Sequence, residues 1–277
     1  MHKGSCDMTQ HGAVLERRKP PRYMYALPNL FTLAAMLTGF SSIILALNGS
    51  FAGASAAIFA AIALDSLDGR VARWTNTQSA FGEQMDSLSD MVSFGVAPAL
   101  IAYQWSLRDL GLWGWIGAFV FCACAAMRLA RFNTNTGASK RYFQGLPSPS
   151  GAAMIGCYVW ALTEVGVARG GDLSGWLAWL TWEHLSWVML VITLYAGITM
   201  ISNVPFYSFK APRSTGRIPY ISITIILIVV VAVNINPAIT LFFMSMVFGL
   251  SGYVTWAWRK LRGAPEDDDA EHPARPA

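Results

Sequence analysis

Charged residues are scarce in this sequence: of its 277 residues, only 13% are Asp, Glu, Lys or Arg, whereas 54% are hydrophobic. A soluble domain carries roughly 25% charged residues, so this chain has too few to cover a water-soluble globule of its size. Several apolar runs reach or approach the roughly 20 residues with which a helix crosses a bilayer. The composition therefore excludes a soluble enzyme or a DNA-binding domain and predicts a membrane protein with several spans.

Cysteine and histidine are also scarce, with four of each in the chain. Three of the cysteines lie in apolar stretches, and none of the four has the spacing of a zinc-ligand motif. We therefore assign no redox or metal role to Cys6, Cys122, Cys124 and Cys157.

Long apolar stretches fill most of the chain, and they predict an all-α integral membrane protein with about eight transmembrane helices. We expect a basic N-terminal arm at residues 1–26, a transmembrane domain at 27–258, and a disordered acidic tail at 259–277. The eight apolar stretches lie at 28–48, 52–72, 86–106, 112–132, 149–168, 185–204, 217–235 and 237–257.

The positions of Lys and Arg predict how the chain is oriented in the membrane. With eight spans and a cytoplasmic N-terminus, all of the 20 basic residues except Arg108 and Arg169 fall on the cytoplasmic side. Cytoplasmic loops carry an excess of Lys and Arg, so this pattern predicts that both termini are cytoplasmic. The net charge of +4 is explained by these loops and by anionic membrane lipid, and we expect no nucleic-acid partner.

Four aspartates stand in or beside the second and third apolar stretches, namely Asp65, Asp68, Asp86 and Asp90. Ionised groups are costly in a membrane, and they usually face a polar cavity and mark a functional site. On helices, residues three or four apart share one face, so each pair of aspartates points in one direction. If the two faces meet, four carboxylates surround one small volume.

Four carboxylates at close range repel one another unless cations neutralise them. Their hard oxygen ligands predict two divalent cations, Mg²⁺ or Mn²⁺. Two such ions can clamp a pyrophosphate and stabilise an in-line phosphoryl displacement. The absence of histidine from these spans argues against zinc.

Two alternatives remain open for the aspartates. They could be solvated residues at helix ends, where the chain turns between the second and third stretches. They could also line the pathway of a metal-ion or proton-coupled transporter, although a transporter should carry carboxylates near the midplane of other spans as well.

The four aspartates belong to a longer string. From Asp65 to Asp90 the sequence is D-S-L-D-G-R-V-A-R, eight residues, and then G-E-Q-M-D-S-L-S-D. It matches the motif D-x2-D-G-x2-A-R-x8-G-x3-D-x3-D at every fixed position, a match that chance gives on the order of once in 10⁹ windows. By this motif the chain resembles the CDP-alcohol phosphotransferases. The resemblance implies a membrane bundle that transfers a phosphatidyl or similar group from a CDP-linked donor to an alcohol, releases CMP, and forms homodimers.

The resemblance also implies roles for individual residues. Asp65, Asp68 and Asp86 would hold a first metal ion, and Asp86 with Asp90 a second. Asp90 would also be the catalytic base that takes the proton of the incoming hydroxyl. The residues that match donor-binding positions are Asn29 through Thr32, Asp68, Gly69, Ala72, Arg73 and Ser79.

The acceptor alcohol is indicated by other segments. Residues 27–32 (LPNLFT), 128–133 (RLARFN) and 143–152 (FQGLPSPSGA) resemble those of the type II phosphatidylserine synthases. This resemblance implies that CDP-diacylglycerol and L-serine react to give phosphatidylserine and CMP. A sister enzyme that uses glycerol 3-phosphate or inositol remains an alternative.

Two arginines close the fourth apolar stretch. Arg128 and Arg131 are three residues apart, and their guanidinium groups could hold the serine carboxylate or a donor phosphate. The alternative is that they only anchor the cytoplasmic end of the span. The Pro147-Ser-Pro149 segment is predicted to start the fifth span, because proline is tolerated at the beginning of a helix.

Overall fold

The apolar stretches form helices, because in lipid every backbone N–H and C=O must be satisfied within its own segment. The structure is a computed structural model that describes residues 26–75, 77, 79–134, 142–167, 181–202, 204–207 and 220–261. Within this part, the α-helices are α1 (Ala26–Leu47), α2 (Phe51–Thr75), α3 (Ala80–Asp90), α4 (Ala97–Trp105), α5 (Leu112–Thr134), α6 (Ser148–Glu164), α7 (Trp182–Ile201), α8 (Tyr220–Ile235) and α9 (Pro237–Leu261).

Five of these helices, α1, α2, α5, α7 and α9, are long and apolar enough to cross a membrane. The predicted class, a multi-pass helical membrane protein, is therefore confirmed. Helices α6 and α8 have 17 and 16 residues, and the third predicted stretch is divided between α3, α4 and the segment that joins them. The number of eight spans stays a prediction.

The predicted bounds of the transmembrane domain, 27 and 258, lie close to the start of α1 and the end of α9. Helix α1 begins at Ala26, and α9 continues to Leu261, three residues past the predicted boundary at 258. The predicted arm before Ala26 and the predicted tail beyond Leu261 lie outside the described residues.

A π-helical segment, Met91–Val96, joins α3 to α4, and the sequence analysis did not predict it. Pro98 lies at the start of α4 and has no N–H to offer the carbonyl four residues before it. The N–H of Ala97 instead donates to the carbonyl of Val92, five residues back. The ladder of i to i−4 hydrogen bonds is thus interrupted directly after Asp90, and such interruptions are frequent at functional sites.

Helices α1 and α2 form an antiparallel hairpin. Gly49 allows the tight turn between them, because its φ of 78° is a left-handed conformation that favours glycine. The buried Ser42 hydroxyl of α1 donates to the Ala54 carbonyl of α2 at 2.7 Å. The hairpin packs against α3, α4 and α6.

A short pair of strands stands beside the helices, and the sequence analysis did not predict it. Strands β1 (Tyr142–Gln144) and β2 (Pro205–Tyr207) pair in antiparallel register, with Phe143 opposite Phe206. They join the chain before α6 to the chain after α7. Three-residue strands are too short to show an alternating pattern in a sequence, which explains why they were missed.

The start of α6 confirms that a helix begins at the Pro147-Ser-Pro149 segment, as predicted. Pro147 occupies the N-cap position directly before the helix begins at Ser148, and Pro149 lies in its first turn. Just before it, Gly145 has a φ of 81°, and a Cβ at this position would collide with the carbonyl of Met200.

Aromatic rings pack together at the end of the bundle where α4 and α6 end and α7 begins. The Trp105 ring lies 5.6 Å from the Tyr158 ring and 5.0 Å from the Trp182 ring, measured between centroids. The Tyr158 hydroxyl donates to the Leu185 carbonyl at 3.1 Å, and the Trp182 indole N–H donates to Asp109 at 2.9 Å. We call this region the aromatic end.

Candidate active site

The four predicted aspartates converge at the opposite end of the bundle, which we call the carboxylate end. Asp65 and Asp68 lie in the C-terminal half of α2, and Asp86 and Asp90 lie on α3. One carboxylate oxygen from each of Asp65, Asp68 and Asp86 lies within 4.8 Å of the others. Asp65 is beside Asp90, and Asp68 is beside Asp86. The two helix faces inferred from the spacing therefore meet.

The carboxylate oxygens fit a divalent cation. Within the described part of the chain, Oδ1 of Asp86 and Oδ1 of Asp90 are buried and accept no hydrogen bond. An ionised carboxylate can only accept hydrogen bonds, and a buried polar atom without a partner is costly. Several such oxygens in one place are satisfied by a hard cation, and oxygen donors are the ligands that Mg²⁺ and Mn²⁺ prefer.

Thr32 from α1 contacts this cluster. Its hydroxyl donates to Oδ2 of Asp68 at 2.8 Å, and both side chains are buried, with 4% and 6% of their surface exposed. The carbonyl of Thr32 accepts a hydrogen bond from the Ser89 hydroxyl at 3.1 Å. The donor contact that the resemblance implies for Thr32 stays a prediction, and its contact with Asp68 is one that the sequence analysis missed.

The predicted donor-binding residues of α2 form an open surface next to the carboxylates. Among the described residues, and apart from the backbone of its own helix, a Cβ at Gly69 would meet only the Arg73 guanidinium, at 4.0 Å. Ala72 is half-buried and Arg73 is exposed in the last turn of the helix. This side of α2 thus leaves room for a flat ring to approach the backbone.

The other predicted donor residues meet where α1 crosses the start of α3. The Ser79 hydroxyl accepts a hydrogen bond from the Gly82 N–H at 3.0 Å and caps α3. A Cβ at Gly82 would lie 3.2 Å from the Ser79 hydroxyl and 3.4 Å from Oδ1 of Asn29. Gly82 therefore permits a close approach of the Asn29 side chain to the first turn of α3.

Arg128 reaches the carboxylates from α5, whereas Arg131 is exposed one turn further on. The Arg128 guanidinium donates through Nη1 to the hydroxyl of Ser148, the buried first residue of α6. It lies close enough to Asp90 for electrostatic attraction. Its Nε is buried and donates to no acceptor among the described residues.

A hydrogen bond that the sequence analysis did not predict joins the end of α5 to α3. The Asn133 side-chain amide donates to the Ser87 hydroxyl at 3.0 Å. Ser87 stands on α3 next to Asp86. This hydrogen bond joins the Arg128 helix to the helix that carries two of the aspartates.

Comparison with known proteins finds a matching family model and several relatives. The family model for CDP-alcohol phosphatidyltransferases matches residues 25–187. A CDP-diacylglycerol–serine O-phosphatidyltransferase of Helicobacter pylori (strain ATCC 700392 / 26695) is 33% identical over 238 residues, which are 86% of this chain and 93% of the relative.

Two archaeal relatives match a shorter part of the chain. A CDP-diacylglycerol–serine O-phosphatidyltransferase of Methanocaldococcus jannaschii is 42% identical over 134 residues, which are 48% of this chain and 60% of the relative. An archaetidylserine synthase of Methanothermobacter thermautotrophicus is 40% identical over 135 residues, covering 48% and 57% of the two chains. The family match spans more than half of the chain and includes all four aspartates. The chain therefore belongs to the CDP-alcohol phosphatidyltransferase family.

Proposed function

We propose that this enzyme transfers the phosphatidyl group of CDP-diacylglycerol to the hydroxyl of L-serine, giving phosphatidylserine and CMP. The observation that carries the proposal is the convergence of four carboxylates from α2 and α3 next to the Arg128 guanidinium. Serine appears in the names of all three relatives described above, whereas the lipid part of the name differs between them.

The carboxylate end would hold two divalent cations, Mg²⁺ or Mn²⁺. Asp65, Asp68 and Asp86 would bind the first, and Asp86 with Asp90 the second. The buried, unpartnered oxygens of Asp86 and Asp90 support this assignment. When bound, the cations draw negative charge from the pyrophosphate and stabilise the departing CMP.

The CDP donor would bind along the open side of α2. Gly69 and Ala72 leave room for the cytosine and ribose, and the exposed Arg73 offers a planar set of donors to phosphate. Asn29 and Ser79 stand where α1 crosses the start of α3 and would border the donor phosphates. This arrangement directs the reacting phosphorus toward the carboxylates.

Serine would bind between Arg128 and Asp90. Arg128 would hold the serine carboxylate through the guanidinium edge that includes Nε, while Ser148 keeps the side chain in place. Asp90 would accept the proton of the serine hydroxyl. The serine oxygen forms the new bond to phosphorus as the bond between phosphorus and CMP breaks. We propose direct attack, without a phosphatidyl-enzyme intermediate.

Charge supports a cytoplasmic position for this end of the molecule. Among the described helix ends, those next to the carboxylates carry Arg70, Arg73, Arg128 and Arg131, and Arg108 lies at the aromatic end. An excess of arginine is typical of the cytoplasmic side. We propose that the site and both termini face the cytoplasm, and, by resemblance to the family, that the enzyme is a homodimer.

The acceptor can be tested with purified enzyme in detergent, CDP-diacylglycerol and Mg²⁺ or Mn²⁺. CMP release is expected to be at least about tenfold faster with L-serine than with glycerol 3-phosphate or inositol. Serinamide keeps the hydroxyl and the ammonium but lacks the carboxylate, so it should react more slowly than serine. Faster release with glycerol 3-phosphate or inositol would contradict the proposal.

A further inference from the structure

Three helices meet at Thr32. Its hydroxyl, on α1, donates to Asp68 of α2 at 2.8 Å. Its carbonyl accepts a hydrogen bond from Ser89 of α3, which stands between Asp86 and Asp90 in the sequence. One buried residue therefore contacts both of the segments that carry the carboxylate cluster.

The hydroxyl hydrogen of Thr32 has two acceptors within reach, and Asp68 is the better one. The Pro28 carbonyl lies 3.2 Å from the hydroxyl, but as the residue four before Thr32 in α1 it already accepts the backbone N–H. A hydrogen bond to a carboxylate is shorter and about twice as strong as one between neutral groups. The bond to Asp68 therefore fixes the rotation of that carboxylate.

The position of α3 along α1 is fixed as well. Besides the bond from Ser89, the hydroxyl of Ser93 donates to the Ala35 carbonyl at 3.2 Å. Gly39 lies directly against Ser93, and a Cβ there would collide with it. The segment from α3 into the π-helix thus cannot slide along α1 without breaking two buried hydrogen bonds.

We propose that Thr32 is a positioning residue that sets the affinity of the carboxylate cluster for divalent cations. It does so by holding Asp68 of α2 in place relative to Asp86 of α3. The proposal rests on the metal site of the proposed function. Groups that orient a metal ligand through a hydrogen bond typically change metal affinity by about 10- to 100-fold when they are removed.

The test measures Mn²⁺ binding without substrate or turnover. The melting temperature of the protein in detergent is followed as a function of Mn²⁺ concentration for the wild type, Thr32→Val and Thr32→Ser. Thr32→Val keeps the shape and loses the hydroxyl, and it should need at least about tenfold more Mn²⁺ for the half-maximal shift. Thr32→Ser keeps the hydroxyl and should stay within about threefold of the wild type.

Ser42→Ala is the matched control. It also removes a buried hydroxyl of α1 that bonds to α2, but it does so at the Ala54 carbonyl, away from the carboxylates. It should lower the melting temperature without metal and leave the Mn²⁺ midpoint within about twofold of the wild type. A purely structural role for Thr32 would give Thr32→Val the same behaviour.

Each contrary outcome has a separate meaning. An unchanged Mn²⁺ midpoint in Thr32→Val, with or without a higher KM for CDP-diacylglycerol, overturns the positioning role and leaves the proposed function intact. If the wild type shows no Mn²⁺-dependent shift, the metal site itself fails and the positioning role with it. Should Thr32→Val not fold, Ser89→Ala decides: a midpoint raised about threefold supports the proposal, and an unchanged one overturns it.

Discussion

The aromatic end and the carboxylate end of the bundle differ in which polar atoms they leave without partners. At the aromatic end, the Tyr158 hydroxyl and the Trp182 indole N–H both have acceptors, and the neutral Ser106 hydroxyl is buried without a partner among the described residues. At the carboxylate end, Oδ1 of Asp86, Oδ1 of Asp90 and Nε of Arg128 are buried without partners in the described part of the chain. Buried polar groups are normally paired, so unpaired ones in a cluster indicate a place that ligands complete.

The packing of side chains also differs between the two ends. Trp105 is almost fully buried between Tyr158 and Trp182, and such aromatic pairs add about 0.5–1.5 kcal/mol beyond the area that they bury. At the carboxylate end, helices approach closely through glycine and hydroxyl groups, as Gly39 and Ser93 do. The aromatic end thus packs rings together, whereas the carboxylate end presents the donors and acceptors on which the proposed binding of substrate and metal rests.

The largest effect is expected from Asp90→Asn, which removes the proposed base at the carboxylate end. CMP release should fall at least about 100-fold, because general base catalysis contributes roughly 10²- to 10⁴-fold. Binding of CDP-diacylglycerol should persist. The same change at the aromatic end, Asp109→Asn, is the control and should keep activity within about twofold. If Asp90→Asn retained more than about a tenth of the wild-type rate, Asp90 would not be the base.

A smaller effect is expected from Arg128→Lys, which keeps the positive charge at the carboxylate end but removes the guanidinium. Lysine lacks the planar fork, so the apparent KM for serine should rise about tenfold and the KM for CDP-diacylglycerol should rise less. Arg131→Lys, at the exposed position one turn later, should change the serine KM less than Arg128→Lys does. Equal changes in both KM values, or none, would leave Arg128 as an anchor of the helix end only.

That each pair of aspartates shares a helix face could be predicted from the sequence, because it depends on local geometry. Whether the two faces meet depends on how α2 and α3 pack, and the sequence analysis left it open. Residues three or four apart share a helix face wherever the helix lies, so Asp65 with Asp68 and Asp86 with Asp90 each needed only a helix. The start of α6 was predictable for a similar reason, since Pro147 marks the position by its own chemistry.

Contacts between distant residues could not be predicted in this way. Thr32 and Asp68 are 36 positions apart, and their contact depends on how α1 and α2 pack. The same holds for Arg128 and Ser148, on different helices. The π-helical segment after Asp90 was missed because an apolar stretch gives no sign of a shift in hydrogen bonding, and Pro98 alone does not specify its form.

A melting curve with and without metal shows whether divalent cations complete the carboxylate end, as we propose. The wild type in detergent should melt about 5 °C or more higher with saturating Mg²⁺ or Mn²⁺ than with a chelator, because binding to the folded state stabilises it. Trp182→Phe, at the aromatic end, should melt lower under both conditions and keep the full metal-dependent shift. Asp65→Ala combined with Asp86→Ala should lose the shift. An undiminished shift in this double variant would mean that the ions bind elsewhere and would contradict the account.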